Sequence, residues 1–151
     1  MRLKSPRLAV RAVVLHEGRL LLVNAYADGQ SDLLCAPGGG VETGASLPDN
    51  LRREMFEETG LHIEVGAPCL VNEFHDPDGS FHQVDIYFHC QLIGSPQIDP
   101  AWQDSENIVS QWHWVTQAEL ARLPHKPDSL GQVAFAPAGQ ATYDPLEPIV
   151  K

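Results

Sequence analysis

Three carboxylates near the middle of the chain, Glu54, Glu57 and Glu58, stand three and four positions apart. An α-helix turns about 100° per residue, so with Glu54 at zero, Glu57 falls at about 300° and Glu58 at about 40°. All three then share one face. Like charges on one face repel and weaken a bare helix. Arginines in the same helix can offset that repulsion, and so can a divalent cation. Mg²⁺ takes oxygen ligands, uses few carboxylates and shares the rest of its octahedron with water and phosphate oxygens.

The elements that must position these carboxylates are legible nearby. Pro37-Gly38-Gly39-Gly40 leads in, and small glycines let backbone and ligand approach closely. Ser46 can cap a helix start, with Asp49 three residues later as a capping-box-like pair, and Pro48 is tolerated in the first turn. Leu47, Leu51 and Met55 repeat every four residues as a core-facing stripe, and Gly60 is a natural C′ residue. The predicted helix covers about 47–59. Before it, Leu8 to Leu15 and Arg19 to Asn24 read as a hairpin around Glu17-Gly18. After it, Leu61 to Phe74 reads as extended with a break at Pro68, followed by the turn Asp76-Pro77-Asp78-Gly79. Phe81 to Ile93 alternates, with Val84, Ile86, Phe88 and Cys90 on one side and Gln83, Asp85, Tyr87 and His89 on the other. That pattern predicts a half-buried strand. Ile108 to Val115 reads as a strand, and Thr116 to Glu119 as a capping box opening a helix that runs to Leu123. Five prolines follow (Pro124, Pro127, Pro137, Pro145 and Pro148), so about 124–151 reads as a Pro-rich extension that packs irregularly, with a short helix around Asp128 to Phe135.

Length and composition set the bounds. A chain of 151 residues with 43% hydrophobic residues suffices for one domain over 1–151 with a proper core. Ten Lys and Arg against 20 Asp and Glu give net −10, which argues against nucleic-acid polymers and anionic membranes as partners, though not against a small anion bound through cations. Cys35, Cys69 and Cys90 form no CxxC and read as free thiols of a reduced compartment. With no signal peptide and no spanning stretch, the expectation is a cytoplasmic protein. His75, His82 and His89 lack short-range zinc spacing, the triple glycine is not a G-x-G-x-x-G fingerprint, and no Asp-rich calcium loop occurs.

The stretch from Gly39 to Leu61, 23 of the 151 residues, resembles the signature of the Nudix (MutT-like) hydrolases: Gly, five residues, Glu, seven residues, then Arg-Glu-apolar-x-Glu-Glu-x-Gly-apolar. Gly39 takes the first position, and Arg53, Glu54, Met55, Glu57, Glu58, Gly60 and Leu61 match the far end in register. The lead-in Pro37 to Glu42 and the segment Trp114 to Leu120 also look like the family. One position departs: the first signature Glu would fall at 45, where this chain has Ala45. The resemblance implies that this Glu supports the box arginine, so Arg53 lacks that partner and can pair instead with Glu57, four residues on. Asn50, at about 320° on the same wheel, lies on the carboxylate face. It reads either as a holder of metal-bound water or as a tolerated polar residue.

The resemblance further implies an α/β fold, an α/β/α sandwich with a mixed sheet. It implies a pyrophosphohydrolase that uses Mg²⁺ or Mn²⁺ to cleave a nucleoside diphosphate linked to another group, in a family with many homodimers. The implied metal ligands are Glu54, Glu57, Glu58 and the Gly39 carbonyl. Glu57, Glu54, Arg53 and Glu106 are the candidate catalytic residues, with Glu106 (ahead of Asp104) as a further ligand or general base from the loop before the last strand. Arg11 can bind substrate phosphate or end a sheet edge. Tyr87, Phe74 and Trp102 can stack on a base or simply pack. The alternative is a binding or regulatory domain on the same fold whose catalysis has decayed, for which Ala45 is the argument.

Overall fold

Strand β1 (Arg7–His16) is the axis of the sheet. Its apolar run is too continuous for a strand with one wet face, and it lies at the sheet centre. The computed structural model describes residues 5–137 and 139–151. Along one edge β1 pairs in parallel with β6 (His82–Ile93), from Arg7 opposite Gln83 to Val14 opposite Cys90. Its other edge is shared. Near its end Leu15 and His16 pair with Leu20 and Arg19 of β2 (Arg19–Asn24), closing the expected hairpin. Near its start Ala9, Val10 and Arg11 pair with Gly40, Gly39 and Gly38 of β4 (Gly38–Gly40). The glycine lead-in is therefore a strand held against the sheet centre.

The remaining strands extend both sides. β3 (Leu34–Cys35) and β7 (Trp112–Val115) pair with β2, and β5 (His62–His75) pairs antiparallel with β6. The β5–β6 register shifts on either side of Pro68, as the missing N–H requires. The result is a nine-strand mixed sheet among the described residues.

One helix covers one face. α1 (Leu47–Thr59) packs Leu51 and Met55 onto Val10, Ala12, Val14, Phe88 and Cys90. Ser46 Oγ accepts the Asp49 N–H at 3.1 Å, but the Asp49 carboxylate turns to Arg52 at 2.6 Å, so only half of the expected box forms. Gly60, at φ +74°, donates its N–H to the Phe56 carbonyl and ends the helix. On the opposite face α2 (Gln117–Leu120), with its Thr116 capping box, and α3 (Leu130–Phe135) bury Leu120, Leu130 and Ala134 against Val13, Leu70 and Tyr87. Helix, mixed sheet and helices make the α/β/α sandwich.

Two expectations need correction. β6 is half-buried as its alternation predicts, but over its first half the sides are exchanged: Gln83, Asp85 and Tyr87 are buried, while Val84 and Ile86 on the apolar side are only half-buried. The tail is also more regular than its prolines suggest. β8 (Thr142–Tyr143) and β9 (Glu147–Pro148) pair in parallel with β5, and Ile149 donates its N–H to the His75 carbonyl. The edge strand offers ladder groups to any neighbour, and the tail takes them.

Candidate functional site

Glu54 and Glu57, one turn apart on α1, meet Glu106 from the loop before β7. Each offers a carboxylate oxygen within 4.8 Å of the others. Asp104 builds the loop that presents Glu106. Its buried carboxylate accepts N–H groups from Glu106, Ile108 and Val109 at 3.2, 3.1 and 2.9 Å, and Asn107 turns the chain at φ +56°. Two indoles tie this loop and β7 to the C-terminal end of α1, where helix carbonyls lack partners: Trp102 Nε1–H donates to the Glu57 carbonyl and Trp112 Nε1–H to that of Glu58. Trp102 thus packs on Phe56 and Gly60.

The cluster holds too much negative charge for its neighbours. Burial pushes the Glu54 carboxyl above its ordinary range, Arg53 opposes this, and Glu106 and Glu57 push it further up. Arg53 is shared widely. Nη1 reaches Glu54 at 3.0 Å, Glu57 at 3.3 Å and Glu42 at 3.7 Å, while Nη2 donates to Asn50 Oδ1 at 3.0 Å and to the Gly40 carbonyl at 3.3 Å. The pairing of Arg53 with Glu57 is present, and Asn50 and Glu42 add to it. Gly39 lies so close that a Cβ there would sit 2.5 Å from Glu54 Oε2. Three convergent oxygen donors, two of them paired with Arg53, are a donor set that fits a hard divalent cation and suits soft metals poorly.

Glu58 lies deeper, close enough to Glu54 for its charge to be felt. It is 4% exposed, and its carboxylate accepts the Gly38 N–H at 3.2 Å. Burial holds its carboxyl well above the usual range, opposed by the Arg11 charge. It braces the glycine strand, and the acidic group found among the described residues comprises Glu54, Glu57 and Glu106.

On the sheet face away from α1 lies a cavity of about 230 Å³. Arg11, Tyr87 and Phe74 all line it, with Gln83, Asp85 and Phe81. Arg11 links this cavity to the glycine strand: Nε faces Asp85 at 3.5 Å and Nη1 donates to the Ala36 and Gly38 carbonyls at 3.2 and 3.5 Å. Arg11 is therefore interior to the sheet and not an edge residue. Cys35 lines the same cavity, but burial pushes its thiol up to about 11, leaving it protonated and poorly nucleophilic. The far wall is the tail, from Glu147 to Val150, with the Val150 carbonyl accepting Tyr26 O–H at 3.0 Å. Sequence reasoning missed Tyr26 and the tail as cavity residues, since only long-range pairing brings them there. Gln83 and Asp85 carried a signal, because alternation puts them on the face of Tyr87.

A family model, the NUDIX domain, matches residues 5–134. The sequence is 31% identical over 116 residues to the Uncharacterized Nudix hydrolase YvcI of Bacillus subtilis, covering 73% of this chain and 72% of that protein. It is 30% identical to an ADP-ribose pyrophosphatase of Methanocaldococcus jannaschii over 59% of this chain and 53% of that protein. It is 31% identical to Nucleoside diphosphate-linked moiety X motif 6 of Mus musculus over 65% of this chain. The match spans only 30% of the mouse protein's length. Among solved structures, a NUDIX hydrolase from Nitrosomonas europaea superposes with a TM-score of 0.71 at 21% identity, over 85% of this chain and 86% of that one. An ADP-ribose pyrophosphatase from Streptococcus suis superposes with a TM-score of 0.67 at 22% identity, over 93% and 100%. These structural likenesses are of fold.

Proposed function

The chain belongs to the Nudix family, and on that premise we propose that it is a divalent-metal-dependent pyrophosphohydrolase. Its substrate is a nucleoside diphosphate linked to another group, a nucleotide, a nucleotide sugar or an ADP-ribose-like molecule, and it releases a monophosphate. The observation that carries this reading is the convergence of Glu54, Glu57 and Glu106, two from one helix and one from a loop some fifty positions on. A Mg²⁺ or Mn²⁺ ion bound there would neutralise the diphosphate charge and lower the pKa of the attacking water. Glu54, Glu57 and Glu106 would hold the ion, with Glu58 and the Gly39 carbonyl as the further ligands the signature implies. Arg53 fixes the first two, and Glu57 and Glu106, the more exposed, stand ready to accept the proton from water. Gly39 lets the phosphate chain pass close to Glu54. The cavity beyond Arg11 takes the nucleoside, with Tyr87 and Phe74 as apolar walls. We read residues 1–151 as one domain, because α3, β8 and β9 attach the extension to the sheet. The three free thiols favour a cytoplasmic setting, and among the described residues no helix is long and apolar enough to cross a membrane.

The test is a panel of nucleoside triphosphates, nucleotide sugars, ADP-ribose and dinucleoside polyphosphates with Mg²⁺ or Mn²⁺, scored for monophosphate release. A second reading, a decayed binding domain, rests on Ala45; tight metal-independent ligand binding without turnover across the panel would establish it. Ala45→Glu separates the two. Arg53 already has Glu57, Glu42 and Asn50 as partners, so turnover by this variant stays within a few-fold of the parent. A tenfold gain would show the parent site to be incomplete.

Acidity offers a further check. A carboxylic acid ligates a cation only after losing its proton. Burial and like charges raise the proton affinity of Glu54. Protons therefore begin to compete nearer neutrality than for an ordinary carboxylate, and Mn²⁺ affinity falls as the pH drops from neutral through that raised value. Calorimetric titration of Mn²⁺ at neutral and mildly acid pH reads this directly; equal affinities would refute it.

A further inference from the structure

Asn50 occupies a position on α1 where an apolar residue would be the better helix former. It is 1% exposed, and a buried amide is costly unless both its ends are satisfied. Here all four contacts are present. Oδ1 accepts from Arg53 Nη2 at 3.0 Å and from the Glu42 N–H at 2.8 Å. Nδ2 donates to the Ser46 carbonyl at 2.8 Å and the Ala45 carbonyl at 3.2 Å. The arrangement fixes which way the amide points, since two donors face the oxygen and two acceptors face the nitrogen. One side chain therefore joins the glycine loop at Glu42, the helix start at 45–46 and the guanidinium of Arg53.

The consequence runs through Arg53. With Nη2 held by Asn50 and Gly40, Nη1 is aimed at Glu54 and Glu57 together. Without the amide, Nη2 keeps only the Gly40 carbonyl at 3.3 Å, and the long side chain regains rotamer freedom. We propose that Asn50 is a positioning residue that locks Arg53 between Glu54 and Glu57, supplying from within the helix the anchor that the methyl group of Ala45 cannot. The amide makes no contact with substrate; it sets the geometry of the two carboxylates through their shared cation. This rests on the reading of Glu54, Glu57 and Glu106 as the cation site.

The test is Mn²⁺ affinity, measured calorimetrically on the full chain without substrate. Outer-shell losses commonly weaken metal binding by about 10- to 100-fold, and Asn50→Ala is expected in that range. Arg53→Ala should lose a similar factor, and the double variant should bind no worse than Arg53→Ala alone, because both act through one contact. Ser46→Ala is the control: it removes the helix cap without touching Arg53, so its Mn²⁺ affinity stays within twofold. Asn50→Asp keeps the acceptor for Arg53 but sets its second oxygen against the Ser46 and Ala45 carbonyls, so its Mn²⁺ affinity should fall clearly less than that of Asn50→Ala, which covers the case in which Asn50→Ala does not fold. An Asn50→Ala affinity within twofold of the parent overturns the inference. So do multiplying losses in the double variant, an equal loss in Ser46→Ala, or a loss in Asn50→Asp as large as that expected for Asn50→Ala. Failure of the parent chain to bind Mn²⁺ overturns the proposed function and this inference together, whereas parent binding untouched by Asn50→Ala overturns this inference alone.

Discussion

Replacing Glu57 by Gln is expected to lower kcat for the best substrate of the panel by about 10²- to 10⁴-fold, the range associated with losing a positioned proton acceptor. The substitution preserves size and removes one charge. In the folded chain that charge faces Glu54, Glu106 and Arg53. Its loss leaves one carboxylate fewer to hold the cation and weakens the i,i+4 pairing with Arg53. The fold should not suffer. Glu57 lies on a helix face crowded with like charge, so in chelator the variant should unfold at the parent temperature or slightly above it. That combination, full stability with lost turnover, separates a chemical role from a structural one. Turnover within tenfold of the parent would remove Glu57 from the reaction and return the acidic face to an ordinary solvated surface.

Gly38→Ala is expected to cost stability, by about 3 kcal/mol or more, from the sum of backbone strain and overpacking. Gly38 has φ +153° and sits opposite Arg11 in the β4–β1 pair. A Cβ there would collide with the Val10 carbonyl oxygen and lie 2.9 Å from Arg11 Cα, both backbone atoms that cannot swing away. To admit it, β4 must leave β1, which also breaks the Gly38 N–H contact to Glu58 and the Arg11 contact to the Gly38 carbonyl. Gly44→Ala is the comparison: φ is +93° but nothing lies within 4 Å, so only the strain of roughly 1 kcal/mol or somewhat more applies. Denaturant unfolding of the two variants measures the difference. Equal losses would mean that the close approach of β4 to β1 contributes nothing.

Much of the site was readable from residues alone. The limits of α1 follow from Ser46, the Leu47–Leu51–Met55 stripe and Gly60, and the structure places the helix at Leu47–Thr59. Such signals are local: each is settled within a turn or two by capping and by the 3.6-residue period. Position in the chain also ranked Glu106 ahead of Asp104, and the structure puts Glu106 beside Glu54 and Glu57 while Asp104 staples the loop. The tail was misread because prolines report only what a segment cannot donate. Pairing of β8 and β9 depends on β5 offering an open edge, which is a property of the assembled sheet.

By itself, then, the amino-acid sequence determined the family, the acidic helix and its frame, because those rest on spacing within some two dozen residues. Only the tertiary structure decided what each carboxylate faces. Glu58 shares the helical arc of Glu54 and Glu57, yet it turns to the Gly38 N–H near Arg11, while Glu106 arrives from a distant loop to join the other two. Helical angle fixes a direction in space; what stands in that direction is set by strand pairing across the chain. The same holds for Asn50, whose worth was invisible until the loop at Glu42 and the guanidinium of Arg53 closed around it.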